Sequence, residues 1–373
     1  MQCRKPASEN ILTLSDGRTV TLHEVLGAGR YGIVHRAFIE GGWGIRRPAA
    51  VKRMQLAPDF DPADAMRALG AIARRLVCIR HPSVIQLFEL DRTDRLHADP
   101  HMPFMVTEIV EGESLQSLIA SWQKSGVRAP VDFALVVVLR AAEALGAALF
   151  TEGPDGALTG LIHGDLSPRQ VLVSSQGEVK VGDFGQFMLG EGQSHVRQRA
   201  ALGYAAPEVV WGNTPDARSD VFSLGAILRE LLVGPRFREG TSTRDAMRMI
   251  RDGQFHASLL EPNIPRAIRD ILDQALDPNP AARYGHARAF AFDLRREMLK
   301  LNLTDAQVCI RHAIVGWCEA PEAPEDTSEP PKTERMPDLE PPPSRQHSDV
   351  VPRGTGLEDQ EEDLPEFIFG SLP

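Results

Sequence analysis

The chain has 373 residues, 42% hydrophobic and 25% charged, the balance of an ordinary globular protein, which excludes wholesale disorder and a fibrous repeat. Its net charge of −10, from 51 acidic and 41 basic residues, is unevenly spread. Residues 319–373 hold 15 acidic and 4 basic residues while the rest is balanced at 36 against 37, so no broad basic surface awaits a phosphate backbone and nucleic acid is not an expected partner.

Residues 1–11 read as an N-terminal extension that lacks the apolar core of a signal peptide. Short strand-like runs fill the next hundred residues: ILTL and TVTLHEVL about the Asp16-Gly17 turn, then IVHRAFIE, AAVKRMQL, VIQLFEL and FMVTEIV. One helix interrupts them, with Asp61 as N-cap, Pro62 in the first helical position and Leu69, Ile72 and Leu76 on one face. From Leu115 the pattern turns helical, with main segments at 133–150, 219–233, 243–252, 264–276 and 285–300. The expected fold class is therefore α+β: a small antiparallel β lobe over about 12–110, then a larger α-helical lobe over about 111–300. A further amphipathic helix is expected over 301–318.

The most apolar run, 133–150, is broken by Arg140 and Glu143, so no membrane span is expected. Cys3, Cys78, Cys309 and Cys318 have spacings that fit neither a zinc knuckle nor a disulfide framework. Reduced thiols and a cytoplasmic location are the expectation. Residues 319–373 contain 11 of the 28 prolines and are expected to form a disordered acidic tail. Its end sets Phe367, Ile368 and Phe369 beside an acidic run, the composition of a peptide that docks on a protein partner.

The chemistry begins at GAGRYGIV, 27–34, where Gly27, Gly29 and Gly32 let a tight turn bring backbone amides close to phosphate oxygens. A strand rather than a helix follows, which disfavours a dinucleotide-binding fold. Lys52, in Ala50-Val51-Lys52, lies 113 residues before Asp165 of the run HGDLSPRQ. Asp183-Phe184-Gly185 then follows Asp165 by 18 residues, and Ala206-Pro207-Glu208 closes the series.

This order of blocks resembles the eukaryotic-type protein kinases, in particular the bacterial Ser/Thr kinases, over roughly residues 12–300. The resemblance implies a bilobal protein-kinase fold, with ATP and Mg²⁺ or Mn²⁺ between the lobes and γ-phosphoryl transfer to a protein hydroxyl. It assigns Lys52 to the α- and β-phosphates, Asp183 to the metal, Gln170 to a second metal, and Asp165 to orienting the acceptor hydroxyl. Leu26, Val34, Ala50 and Leu172 are implied around the adenine, Thr107 as gatekeeper, and Glu108 to Val110 as hinge. Asp220 matches the aspartate that ties down the catalytic loop, and Arg283 the arginine that pairs with Glu208.

The departures from the family pattern bear on activity. Ile72 stands where the family has a glutamate for Lys52, leaving Asp183 itself as the nearest alternative. Gln170 replaces the expected asparagine, Gly164 the arginine that answers an activation-loop phosphate, Ser167 a lysine and Ala201 a threonine. The segment from Asp183 to Glu208 offers only Ser194 and Tyr204 as hydroxyls. Two readings follow nearly evenly: a Ser/Thr kinase of weak or partner-dependent activity, or a pseudokinase acting as scaffold or nucleotide sensor. A small-molecule phosphotransferase of the aminoglycoside or choline kinase type, which also writes HGDL, is a minor third; Ala206-Pro207-Glu208 and Asp220 argue against it.

Overall fold

A computed structural model describes residues 10–29, 31–56, 61–93, 101–189, 202–237, 241–251 and 264–303, together with Ile310 and Ala313. The expected acidic tail, most of the N-terminal extension and of the last helix, Ser194 and Ala201 lie outside the described residues.

Six strands build the first lobe: β1 (Ile11–Thr13), β2 (Thr19–Gly29), β3 (Gly32–Glu40), β4 (Arg46–Met54), β5 (Leu87–Arg92) and β6 (Pro103–Thr107). They pair antiparallel in the order β1-β2-β3-β4-β6-β5. Alternation along the strands sends Leu12, Val20, Ala37, Ala49, Val51, Phe104 and Val106 to one closed apolar cluster. Between β4 and β5 runs α1 (Pro62–Leu76), whose N-cap Asp61 accepts a bond from the Ala63 amide at 2.7 Å. Its buried Leu69, Ile72 and Leu76 join the core of the second lobe rather than the cluster inside the sheet. Each contributes about 1.5–3 kcal/mol by burial, so α1 is seated by apolar contact.

Past a linker at 108–111, a second, three-stranded sheet of β7 (Gly112–Ser114), β8 (Val171–Ser174) and β9 (Val179–Val181) carries the loops of interest. These strands are too short for a clear sequence period, and neither they nor α2 (Leu115–Lys124), which begins where the helical pattern starts, were expected individually. Around them pack α3 (Val131–Phe150), α4 (Ala217–Val233), α5 (Thr243–Arg251), α6 (Arg266–Ala275) and α7 (Ala287–Lys300). These ends fall within about two residues of the expected helices, the usual uncertainty of a boundary. By length and composition α3 alone among the described helices is apolar enough to cross a membrane. It instead forms the centre of the helical lobe, 72% of its apolar window buried against α4, α7 and β9.

One buried ion pair fastens this lobe. Arg283, whose side chain is fully buried, donates two 2.8 Å bonds to the Glu208 carboxylate, which also accepts from Ser219 Oγ at 2.8 Å. Removing one member of such a pair strands the other charge, at about 3–5 kcal/mol. Arg283→Met should therefore lower unfolding stability by that amount in urea titrations, and Glu208→Gln, which keeps its oxygen acceptor, by less.

Candidate active site

The glycine-rich segment is the tip of the β2–β3 hairpin, closed by the pair Gly29 with Gly32. Gly32 is required by packing: its φ is +151°, and a Cβ would fall 2.0 Å from the Arg53 carbonyl oxygen. A Cβ on Gly27 or Gly29 would meet nothing within 4 Å, so the chain's own packing leaves the space over these two open. Half-buried Val34 and Ala50 lie on β3 and β4, with the more exposed Leu26 on β2. Ala50 pairs with Thr107 across β4 and β6, and half-buried Leu172 lies on β8 beyond the linker.

In the linker, Val110 is half-buried. The Glu108 carboxylate accepts from Lys180 Nζ at 2.8 and 2.9 Å and from the Gln86 amide at 2.8 Å, so its side chain is committed to the protein's own groups. Thr107 Oγ1 donates to the Glu108 carbonyl at 3.1 Å. Arg36 on β3 bridges Glu24 at 2.6 Å and both oxygens of Glu111 at 2.5 and 2.9 Å, joining the sheet to the end of the linker. These neighbours hold the Arg36 guanidinium above its ordinary range, with the Glu111 bond the larger cause.

Lys52 points from β4 into the cleft with 12% of its side chain exposed. Its ammonium lies 2.8 Å from Asp183 Oδ2 and donates at 2.6 Å to Gln186 Oε1. Gln186 Nε2 in turn donates to Asp183 Oδ1 at 2.9 Å. Lys52, Asp183 and Gln186 thus form a closed ring. Gln186 was not singled out in the sequence; a polar residue after Asp-Phe-Gly reads as loop, and its partner Lys52 is 134 positions away. Ile72 lies against the same turn: a Cβ on Gly185 would come within 3.1 Å of Ile72 Cγ1. The turn is built by φ of +61° at Asp183 and +70° at Gly185 around the buried Phe184.

Below this ring the catalytic-type loop hangs on Asp220, whose buried carboxylate accepts the His163 and Gly164 amides at 2.8 Å each. Burial pushes Asp220 up to about 7 despite those two donors. Gly164 has φ +73°, and a Cβ would fall 2.3 Å from the Phe187 ring. Phe187 thus occupies the space in front of position 164. Asp165 faces the hairpin tip, where Tyr31 Oη donates to its Oδ2 at 3.4 Å, and Lys52 Nζ lies 5.8 Å from the Tyr31 ring centre. The structure therefore gathers Lys52, Asp165 and Asp183 in one cleft, with Tyr31 among them.

Gln170 is turned away from a ligand role. Its Oε1 accepts from both the Ser167 amide at 2.9 Å and the Ser167 hydroxyl at 2.6 Å. Both donors fix that atom as the oxygen. Asp183, with 35% of its side chain exposed, keeps unused lone pairs on its two oxygens beside the bonds from Lys52 and Gln186, and so remains the carboxylate placed to meet a metal from the cleft side. Among the described residues no cluster of three or more His, Cys, Asp or Glu side chains could hold a metal ion by itself. One carboxylate suits Mg²⁺, which usually binds one or two protein carboxylates and takes its other ligands from water and substrate phosphates.

On the far side of Asp165 the chain before Pro207 is pinned. Arg236 Nη1 donates to the carbonyls of Leu202, Gly203 and Ala205 at 3.2–3.4 Å, and Ser223 Oγ donates to that of Tyr204 at 3.0 Å. The Tyr204 hydroxyl bonds Glu230, and burial raises its pKa above the ordinary phenol range.

His163 titrates in a way that can be measured. Its Nε2 donates to the Gly182 carbonyl at 2.9 Å while Nδ1 accepts the Asp165 amide at 3.4 Å, so the neutral ring satisfies both sites. Burial lowers its pKa from 6.5 to about 4. A depressed pKa gives stability that is present above pH 6.5 and is lost as pH falls towards 4. Relative to His163→Gln, the wild type should lose about 2–3 kcal/mol of unfolding stability between pH 7.5 and pH 4.5. A constant difference between the two across that range, in urea titrations, would refute the neutral-ring assignment.

Comparison with known proteins agrees with this geometry. The protein kinase domain profile matches residues 20–293. The serine/threonine-protein kinase PknB of Mycobacterium tuberculosis (strain ATCC 25618 / H37Rv) is 29% identical over 281 residues, covering 74% of this chain and 42% of that protein. PknA of Mycobacterium tuberculosis (strain ATCC 25177 / H37Ra) is 27% identical over 277 residues, or 71% of this chain and 60% of PknA. A probable serine/threonine-protein kinase, CPE1738 of Clostridium perfringens (strain 13 / Type A), is 25% identical over 293 residues, 77% of this chain and 39% of its own length. The chain thus spans about two-fifths of the first of these relatives.

Proposed function

Because this chain belongs to the protein kinase domain family, in its bacterial Ser/Thr branch, we propose that it binds Mg-ATP and transfers the γ-phosphoryl group to a protein serine or threonine, slowly or with the help of a partner. The observation that carries the proposal is the convergence of Lys52, Asp165 and Asp183 at the open side of the glycine hairpin. Phosphoryl transfer asks mainly for positioning and charge stabilisation, and these three groups are the means.

In this reading Gly27 and Gly29 let the hairpin backbone approach the phosphates, and Lys52 neutralises them. Leu26, Val34, Ala50, Val110 and Leu172 enclose the base. Asp183 would hold a single Mg²⁺ or Mn²⁺, which would supply charge neutralisation to the nucleotide phosphates. Asp165 receives the proton of the acceptor hydroxyl after Tyr31 has moved off its Oδ2. Because Gln170 gives its oxygen to Ser167, a second cation has no side-chain ligand there. The fixed backbone ahead of Pro207 supports a protein acceptor over a small molecule, since Arg236 and Ser223 hold it as an ordered wall beside Asp165.

The replaced parts favour modest turnover. Each missing charge-assisted contact costs about 2–4 kcal/mol of transition-state stabilisation, or roughly 30- to 1,000-fold in rate. A scaffold or nucleotide sensor is the second reading, favoured by Ile72 in place of the glutamate the family pattern offers Lys52 and by Tyr31 on Asp165. A cytoplasmic location, where ATP is plentiful, and a role in signalling belong to the same proposal, as does a protein partner recognised by the acidic tail.

Transfer from radiolabelled ATP at high protein concentration, with Mg²⁺ or Mn²⁺, separates the readings. Label should appear on the protein or a generic acceptor and fall at least 100-fold in Asp165→Asn and in Lys52→Met. Wild type and variants equally silent, with Mg-ATP still raising the melting temperature, would leave the scaffold reading standing.

A further inference from the structure

The nucleotide reading leaves one structural question: what orients Lys52 when the facing helix offers isoleucine. We propose that Gln186 is the positioning residue for the phosphate end of the site, its carboxamide holding Lys52 with its oxygen and Asp183 with its nitrogen. This inference rests on the assignment of Lys52 and Asp183 to phosphate and metal.

The chemistry at the ring calls for this residue type. An ammonium only donates and a carboxylate only accepts, so a side chain lying between them and bonding both must present an acceptor to one and a donor to the other. Glutamine and asparagine carry that fork; glutamate lacks the donor, and lysine or arginine the acceptor. Gln186 is 3% exposed, and its two ends lie at 2.6 Å from Lys52 and 2.9 Å from Asp183. Buried polar groups need partners in any case, but backbone partners would serve that need; here the partners are the two charges themselves.

Neutrality is the useful property. When Mg-ATP enters, Lys52 turns its charge to phosphate and Asp183 to the cation, so their direct 2.8 Å contact has to loosen. Gln186 keeps a bond to each after they part. A neutral amide leaves the full positive charge of Lys52 for the phosphates and does not compete with Asp183 for the metal. The turn that presents Gln186 is fixed independently: Phe184 is buried, Ile72 packs against Gly185, and Phe187 fills the space before Gly164. The glutamine is therefore held by apolar packing on both sides and does not depend on nucleotide for its place.

The test is titration of the full chain with Mg-ATP and, separately, with adenosine, which reaches the base slot but neither Lys52 nor Asp183. Gln186→Leu should weaken Mg-ATP at least tenfold while changing adenosine binding less than twofold. Gln186→Glu, which keeps an acceptor for Lys52 but loses the donor to Asp183 and sets a second negative charge beside it and the phosphates, should also bind Mg-ATP at least threefold more weakly than the wild type while leaving adenosine binding unchanged. Unchanged Mg-ATP binding in Gln186→Leu, parallel loss of both ligands, or a glutamate variant that binds Mg-ATP as tightly as the wild type would each overturn the assignment. A wild type that binds neither ligand would instead remove the nucleotide reading, and this inference with it. Should Gln186→Leu fail to fold, Gln186→Asn provides the comparison, since its fork is one methylene short and should show the same selective loss of Mg-ATP.

Discussion

The ammonium of Lys52 sets the terms for the cleft. A charge with only 12% of its side chain exposed must find acceptors, because leaving it unpaired costs several kcal/mol. In this chain its two acceptors, Asp183 and Gln186, come from one side, the turn 183–186, while the buried face of α1 is apolar. The seat of α1 is therefore separated from the charge state of the site. Apolar burial of Leu69, Ile72 and Leu76 holds the helix whether Lys52 faces carboxylate, amide or phosphate. A glutamate on α1 would couple helix position to the lysine; isoleucine removes that coupling and places the burden on Gln186.

A second substitution is resolved in the same manner. Gly164 stands where the resemblance leads one to expect arginine, and Phe187 lies 2.3 Å from the point where a Cβ would be. A side chain at 164 and the aromatic ring at 187 exclude each other sterically, so the two positions form a single packing choice. An arginine at 164 would hold the following segment through charge, and only when phosphate was present. Phe187 instead fills the space before Gly164 by apolar contact. Asp220 secures the other side of the loop by accepting the backbone amides of His163 and Gly164, which asks nothing of the side chain at 164. The order of the site thus rests on apolar and backbone interactions where a charge switch would otherwise act.

Much of this was readable before the structure. Strand alternation, the Asp61 cap and the spacing of Lys52, Asp165 and Asp183 depend on local pattern, and the structure carries them as β2–β4, α1 and the cleft. Asp220 on the loop amides and Glu208 with Arg283 came from the family resemblance, not from the residues alone. What escaped are features made by distant contact. Gln186 is one polar residue in a loop until it meets Lys52, and Tyr31 is one side chain in a glycine-rich tip until it reaches Asp165, again 134 positions away. Gln170 is the converse case: its type fits a metal ligand, but its neighbour Ser167 supplies two donors that claim the oxygen. The strands β7 and β9, three residues each, are shorter than two side-chain periods and leave no pattern to find.

Binding and turnover draw on different parts of this site, and the substitutions fall almost entirely on one of them. Nucleotide affinity needs an apolar slot, an open hairpin backbone and a lysine correctly aimed; all three are present or replaced by a local equivalent. Turnover needs charge placed against the transferring phosphoryl group, where each missing contact multiplies through an exponential. Tyr31 acts on the same side of that division. Its bond to Asp165 is long at 3.4 Å and only partly buried, so displacing it costs little, and while it stays it occupies one oxygen, Oδ2, of the carboxylate proposed to receive the proton. On the proposed reading, occupancy by ATP is the easier property for such a site to retain, and the rate of transfer is the quantity that a protein partner, by moving Tyr31 and presenting the acceptor, would change.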